Sequence, residues 1–207
     1  MHLEVLPPQA RRLCRKLVRL PALRSFYLAG GTGLALHLGH RRSEDLDFFS
    51  RRPFRPPTLA EALKAVTTPE HLSLGEGSVE CWLSGFKVQW LYYRYRLLKK
   101  LHETELGSLA DPVDIALMKL TAVSQRGSKR DFIDLACFLR TYPQFPLHEL
   151  LPLLSQKYGR INRGHYLRAL VYFRDAEGEP MPRMRWPLCW KEVKDHLRQG
   201  VAELLGE

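Results

Sequence analysis

Two short motifs in close succession constrain this chain more than any other feature of its sequence. The first is a pair of glycines, Gly30 and Gly31, which lies between two apolar runs. The second is an acidic pair, Asp45 and Asp47, which follows a short basic loop. This order predicts a strand, a glycine turn, a short helix, a loop and a second strand that begins with two carboxylates.

The acidic pair has the chemistry of a site for a hard cation. Residues two apart in a strand point to the same face, so Asp45 and Asp47 are predicted to project together, about 6.5–7 Å apart along the backbone. Two such carboxylates suit Mg²⁺, which usually keeps water and substrate phosphates as its other ligands. Glycines before a helix let backbone N–H groups approach a phosphate. We therefore expect metal-assisted transfer of a nucleotide.

Length, charge and cysteine spacing limit the class of protein. The 207 residues, of which 45% are hydrophobic, are enough for a substantial core. A net charge of +10 indicates a polyanionic partner, with nucleic acid favoured, unless the charge serves solubility alone. The four cysteines lack metal-binding spacing, and no apolar run is long enough for a membrane span. We expect reduced thiols and a cytoplasmic protein without membrane contact.

The first half of the chain has the pattern of an α+β domain, which we assign to residues 1–108. A helix is predicted over residues 9–20, and Thr58 is expected to cap another that reaches about residue 66. Glycine-containing turns separate the later apolar segments into hairpins. Besides the strand with the acidic pair, the predicted strands cover residues 26–29, 71–74, 79–83 and 86–95.

The second half has the pattern of a helical bundle, assigned to residues 109–207. Asp111 and Pro112 are typical of a helix start, with the aspartate as N-cap. Gly127 ends that helix, and Ser128 is predicted to cap the next. The remaining helices are predicted over residues 129–140, 147–158, 165–174 and 188–205. The predicted fold class is thus α+β: an N-terminal mixed sheet flanked by helices, then a helical domain that completes the active site.

A second group of charges lies in the helical half. Lys119 occupies an otherwise apolar segment, and a buried lysine needs a partner, so we expect a phosphate or carboxylate nearby. Alternatively, this lysine extends its amine to solvent or pairs within its own helix. Asp131 and Asp134 are three residues apart and share a helix face. For Asp131 the alternative is a purely structural pair with one of the surrounding basic residues, namely Arg126, Lys129 and Arg130.

Together these motifs resemble those of the AbiEii/AbiGii-type nucleotidyltransferase toxins. The resemblance extends over residues 26–139, with one motif block in 28–49 and the other in 116–135. It implies a polymerase-β-like nucleotidyltransferase core, a helical C-terminal domain and Mg²⁺-dependent transfer of a nucleotide from an NTP. In characterised relatives the acceptor can be a tRNA 3′ end, and such toxins usually have a separately encoded antitoxin as partner.

The resemblance also implies roles for individual residues. Either Asp131 or Asp134 would complete the site. The residues that it assigns to catalysis, with the metal on the first two, are Asp45, Asp47, Lys119, Asp131 and Asp134. The residues that it assigns to nucleotide binding, with the triphosphate on the first three, are Gly30, Gly31, Thr32, Arg41, Ser43, Lys119, Arg126 and Arg130.

One position departs from the family pattern. Nucleotidyltransferases of this fold commonly place a third carboxylate on a later strand, where this chain has Gln89. Glutamine is neither a base nor a good metal ligand, and two-metal displacement needs ligands for both ions. Two consequences are open: the second metal is weakly bound, or Asp131 or Asp134 replaces the missing carboxylate. Two functions are therefore considered: an NTP-dependent enzyme that modifies RNA, and a catalytically weak or inactive protein of this fold that binds nucleotide or RNA. A third interpretation, with a protein or small molecule as acceptor, is disfavoured by the positive charge, because a cationic small molecule would favour an acidic cleft.

Overall fold

A mixed sheet lies between two layers of helices. The computed structural model describes residues 1–206, within which the chain forms seven strands and eight α-helices. The strands are β1 Phe26–Leu28, β2 Leu46–Ser50, β3 Glu70–Gly75, β4 Ser78–Leu83, β5 Phe86–Tyr92, β6 His102–Thr104 and β7 Gly107–Leu109. The helices are α1 Pro8–Leu17, α2 Gly30–Leu38, α3 Pro56–Leu63, α4 Pro112–Gln125, α5 Lys129–Thr141, α6 Leu147–Tyr158, α7 Arg163–Val171 and α8 Trp190–Leu205. The predicted α+β class is confirmed.

The strand order β3-β4-β5-β2-β1-β7-β6 places the acidic strand near the middle of the sheet. β2 pairs with β5 in parallel and with β1 in antiparallel orientation. Asp47 on β2 lies opposite Gln89 on β5, and Gln89 lies opposite Glu80 on β4. Residues in register on neighbouring strands point to the same face. These three polar side chains therefore form a row across the sheet.

The side chains of β2 alternate between the two helical layers. Phe48 packs with Phe26 and Trp90 in a core closed by α1 and α3. Phe49 packs instead in the core formed by the C-terminal helices. Because residues two apart in a strand share a face, Asp47 lies on the same side of the sheet as Phe49. The strand thereby presents this carboxylate to the helical half of the chain.

Several predicted helix boundaries are confirmed and others are corrected. The side chain of Asp111 caps α4 by accepting the backbone N–H of Val113. Thr58 was expected as an N-cap, but α3 begins at Pro56, because proline suits the first turn, where its missing N–H has no partner to lose. Ser128 occupies the N-cap position of α5, yet its hydroxyl donates to Asp131 and not to the helix backbone.

The ends of two elements and one hairpin also differ from the prediction. The strand expected over 86–95 ends at Tyr92, and the helix expected over 165–174 covers Arg163–Val171. The hairpin of β6 and β7 is absent from the sequence prediction, because three residues per strand are too few to show alternation. It joins the sheet by parallel pairing of β7 with β1. Within residues 1–206, no helix has both the length and the apolar character needed to cross a membrane.

A fully buried ion pair in the helical half anchors the segment that follows β5. Lys157 Nζ on α6 lies 2.6 Å from Asp114 Oδ1 on α4, and both side chains are inaccessible to solvent. Asp114 also accepts the backbone N–H groups of Leu98 and Lys99. Lys157 donates in addition to the carbonyl of Arg96 at 2.9 Å. The pair thus fixes the segment between β5 and β6 against the helical half.

We expect Lys157→Met to destabilise the protein. Removing one partner of a buried pair leaves the other charge uncompensated, which costs about 3–5 kcal/mol. The free energy of unfolding, measured by urea denaturation, should fall by an amount in this range. The matched control is Lys191→Met, which removes an exposed lysine paired with Asp195 on α8. An equal loss in both variants would contradict the assigned role of Lys157.

Candidate active site

The glycine turn allows two functional side chains to approach the start of α2. Gly30 has a φ of +61°, and a Cβ there would lie 2.6 Å from Asp47 Oδ2. A Cβ on Gly31 would overlap the guanidinium group of Arg41. Glycine is needed at both positions because any side chain would displace Asp47 or Arg41.

Two hydroxyl groups fix the backbone ahead of the acidic strand. Thr32 Oγ1 donates to the carbonyl oxygen of Asp45, and Ser43 Oγ lies 2.6 Å from Thr32 Oγ1 and donates to it. Both residues are buried, and both form part of the wall of the cleft described below. Their contacts couple the first turn of α2 to the loop that precedes β2.

The two aspartates of the acidic pair have different surroundings. Asp45 directly precedes β2, is 44% exposed, and its Oδ2 lies 3.5 Å from Arg130 Nη1. Asp47 lies within β2 and is partly buried. Burial raises the pKa of Asp47, while Lys119 opposes the shift and Asp45 adds to it. Both carboxylates line the same cleft, as expected for residues two apart.

Asp134 is the centre of a buried hydrogen-bond network. Its Oδ1 accepts from His40 Nε2 at 2.8 Å and from Arg41 Nε at 2.6 Å. Its Oδ2 accepts from Arg41 Nη2 at 2.9 Å and lies 2.7 Å from Lys119 Nζ. Although burial alone would raise it, Arg41 and Lys119 together hold the pKa of Asp134 well below its ordinary value. Burial lowers the pKa of His40, which favours its neutral form.

Lys119 connects this network to Asp131, one turn earlier on α5. Lys119 Nζ donates to Asp131 Oδ1 at 2.8 Å, and the lysine side chain is 7% exposed. Burial alone would lower the pKa of Lys119, but Asp134 and Asp131 raise it, so the amine is charged. Asp131 also accepts from Arg126 Nε at 2.7 Å and from Ser128 Oγ at 2.8 Å. The expected carboxylate partner of Lys119 is thus present, and it lies on a neighbouring helix.

These residues surround a cleft of about 370 Å³. Five cationic side chains and three carboxylates reach it, which favours an anionic ligand. Gly30 and Asp134 are the predicted site residues that do not line the cleft, because they lie behind Asp47 and Arg41. The lining residues are Gly31, Thr32, Arg41, Ser43, Asp45, Asp47, Lys87, Gln89, Lys119, Arg126, Ser128, Arg130 and Asp131.

Comparison with known proteins places this arrangement in a family. The family model described as "Nucleotidyl transferase AbiEii toxin, Type IV TA system" matches residues 11–79 and 108–203. The chain belongs to this family. A relative in Aquifex aeolicus (strain VF5), an uncharacterized protein, is 35% identical over 204 residues, which are 97% of this chain and 98% of the relative. The expected AbiEii-type nucleotidyltransferase is confirmed as the class of enzyme.

Two solved structures share the fold of this AbiEii-family chain. JHP933 from Helicobacter pylori superposes with a TM-score of 0.58 and 18% identity, covering 96% of this chain and 93% of JHP933. MenT4, a nucleotidyltransferase toxin from Mycobacterium tuberculosis, superposes with a TM-score of 0.60 and 15% identity, covering 96% of this chain and 82% of MenT4. At these identities the likeness concerns the fold.

Three side chains at the site are missing from the sequence prediction. Lys87 lines the cleft of the AbiEii-family chain, and its position two residues before Gln89 on β5 could have indicated this. Glu80 accepts from the amide of Gln89 and lies 2.9 Å from Lys87 Nζ, a contact that depends on strand register. His40 contacts Asp134, which is 94 residues away in the sequence, and no local sequence pattern indicates a contact over that separation.

The donor set fits a hard divalent cation. Among residues 1–206, no group of three or more His, Cys, Asp or Glu side chains is arranged to hold a metal ion. Asp45 and Asp47 could supply two carboxylates, leaving the other positions to water and phosphate oxygens. Mg²⁺ is usually bound in this way, with one or two carboxylates and the phosphates of its substrate.

We predict that Asp131 makes the stability of the protein depend on pH. Burial alone would raise its pKa, but Lys119 and Arg126 lower it to about 2. A carboxyl with a lowered folded pKa stabilises the protein above its unfolded pKa of about 3.9, here by about 2–3 kcal/mol. That contribution is lost as the pH falls through 2. Urea unfolding of Asp131→Asn and of the unmodified protein should therefore differ most above pH 4 and converge towards pH 2. A difference that stays constant over this range would contradict the assignment.

Proposed function

We propose that this AbiEii-family enzyme transfers a nucleotide from an NTP to an RNA acceptor, with Mg²⁺ bound to Asp45 and Asp47. The observation that supports the proposal is that the acidic pair, Asp45 and Asp47, faces five cationic side chains in one cleft. The carboxylates come from the sheet, and three of the cations come from the helical half. On this proposal residues 1–108 form the nucleotidyltransferase domain, and residues 109–207 form the domain that completes its active site.

On this proposal the triphosphate of the NTP binds to the cationic wall of the cleft. Arg126 and Arg130 are both more than half exposed, and each bonds only through part of its guanidinium group to an aspartate. Guanidinium groups match the geometry of phosphate oxygens and bind them in pairs. Gly31 offers close approach of backbone to phosphate at the start of α2. Thr32 and Ser43, which also line the cleft, hold this turn to the loop before β2.

The proposed reaction is an in-line displacement at the α-phosphorus. An RNA hydroxyl oxygen forms the new bond to phosphorus, the bond to the β-phosphate oxygen breaks, pyrophosphate leaves and the hydroxyl proton passes to water. A bound Mg²⁺ would supply Lewis-acid stabilisation of the developing charge. Lys119 and the arginines of the cleft add positive charge that is already oriented before the reaction.

Asp131 and Asp134 are proposed as positioning residues. Each is at least 99% buried at the side chain and already accepts several hydrogen bonds from cations. Asp134 orients Arg41, and Asp131 orients Arg126, so both act on substrate through another side chain. The remaining parts of the proposal, a tRNA 3′ end as acceptor and regulation by a separately encoded antitoxin, are supported by the membership of a toxin family.

A second candidate function is binding of nucleotide or RNA with little or no turnover. Gln89, directly opposite Asp47, favours it, because the side chain donates to Glu80 and offers no base to the cleft. Salt-sensitive RNA binding without transfer would distinguish this function from the enzymatic one.

The enzymatic proposal is tested by incubating the purified protein with Mg²⁺, total RNA and each α-labelled NTP in turn. We expect label in RNA with at least one NTP. Asp45→Asn and Asp47→Asn should each reduce the rate at least about a hundredfold, because metal binding contributes several kcal/mol to such transition states. The matched control is Asp195→Asn, an exposed aspartate on α8. Circular dichroism checks that each variant is folded.

Two results would overturn the proposal. Absence of label in RNA with all four NTPs would exclude transfer to RNA under these conditions and favour the binding function. Transfer that survives in the doubly substituted Asp45→Asn, Asp47→Asn protein would exclude these carboxylates as the metal ligands.

A further inference from the structure

A second pocket opens beside the active-site cleft, on the side of the C-terminal helices. It lies between the end of α4, helix α7 and the segment that follows α7, and its volume is about 480 Å³. Volumes of roughly 300–1,000 Å³ are typical of sites for small organic groups. Arg126 lines both this pocket and the cleft, so the two spaces are adjacent. We call it the α7 pocket.

Aromatic and cationic groups line the α7 pocket. Tyr172 is 52% exposed, although its neighbour Phe173 is buried and packs on Phe132 and Trp190. His165 lies on α7, and its Nε2 is 3.2 Å from the carbonyl oxygen of Ser124 at the end of α4. The buried Phe173 anchors the chain next to Tyr172, and the His165 contact ties α7 to the end of α4.

The charges of the pocket favour a polyanion. Arg126 and Arg168 contribute positive charge, and Asp175 is the single carboxylate in the lining of the α7 pocket within residues 1–206. Single-stranded nucleic acid is bound by this combination: bases stack on aromatic rings while cations contact the phosphates. Asp175 can accept a hydrogen bond from the exocyclic amine of a base.

We propose that the α7 pocket binds the terminal nucleotides of a single-stranded RNA acceptor, an inference that rests on the proposed transfer to RNA. A terminal base stacks on Tyr172, its backbone phosphates contact Arg168 and Arg126, and its ribose hydroxyl reaches the cleft past Arg126. The alternative occupant is the base of the NTP. Arg168 argues against it, because this cation lines the α7 pocket but not the cleft, whereas the phosphates of an NTP would lie in the cleft.

The test is a comparison of kinetic constants for Tyr172→Ala and Arg168→Ala. Base stacking on an aromatic ring contributes enough that its loss should raise the KM for RNA about tenfold or more. The KM for the NTP should stay unchanged, and Tyr172→Phe should restore the KM for RNA. Arg163→Ala is the matched control, since this exposed arginine lies on α7 outside the pocket. A rise in the KM for the NTP alone, or no change in either constant, would overturn the inference.

A binding measurement separates this inference from the proposed function. Fluorescence anisotropy with a labelled single-stranded RNA of about ten nucleotides, within the range of known site sizes, needs no turnover. Weaker binding by Tyr172→Ala and Arg168→Ala than by Arg163→Ala supports the α7 pocket even if the unmodified protein transfers no nucleotide. Equal binding by all three variants, together with normal transfer, overturns the pocket assignment and leaves the proposed function intact.

Discussion

The carboxylate of Asp134 has no contact with solvent, and the arrangement of the site depends on how its charge is compensated. An unpaired buried carboxylate would be prohibitively costly, but Asp134 accepts hydrogen bonds from His40 and Arg41 and lies against Lys119. These partners come from the loop after α2 and from helix α4. One side chain of α5 therefore fixes the basic loop and the buried lysine relative to each other.

The functional consequence is that neither half of the chain forms the cleft alone. The sheet contributes Asp45 and Asp47, and the helical half contributes Lys119, Arg126 and Arg130. The space for side chains to meet is created by the glycine turn, where any Cβ would displace Asp47 or Arg41. The ion pairs that Asp134 forms with Arg41 and Lys119 explain why the cations of the cleft are arranged before any ligand binds. Preorganised charge of this kind is what stabilises a phosphoryl-transfer transition state.

Local chemistry in the sequence predicts much of this fold, and long-range contacts account for the rest. Proline, glycine and aspartate at element ends indicate α4 and the hairpin turns, and periodicity alone gives α6 with the observed bounds. Sequence spacing could not show which of Asp131 and Asp134 borders the cleft, because residues three apart share a helix face. Only packing decides that Asp131 borders the cleft while Asp134 lies behind it. The partnership of Gln89 with Glu80 likewise depends on strand register.

The most direct test of the central claim is a double-mutant cycle of Asp134→Asn and Arg41→Gln, read out as the rate of nucleotide transfer. If Asp134 acts by orienting Arg41, the double variant should be little slower than Asp134→Asn alone, and the coupling free energy should be about 0.5–3 kcal/mol. If the rate reduction in the double variant equals the product of the reductions in the two single variants, the two residues act independently. That result would contradict the view that this buried network organises the site.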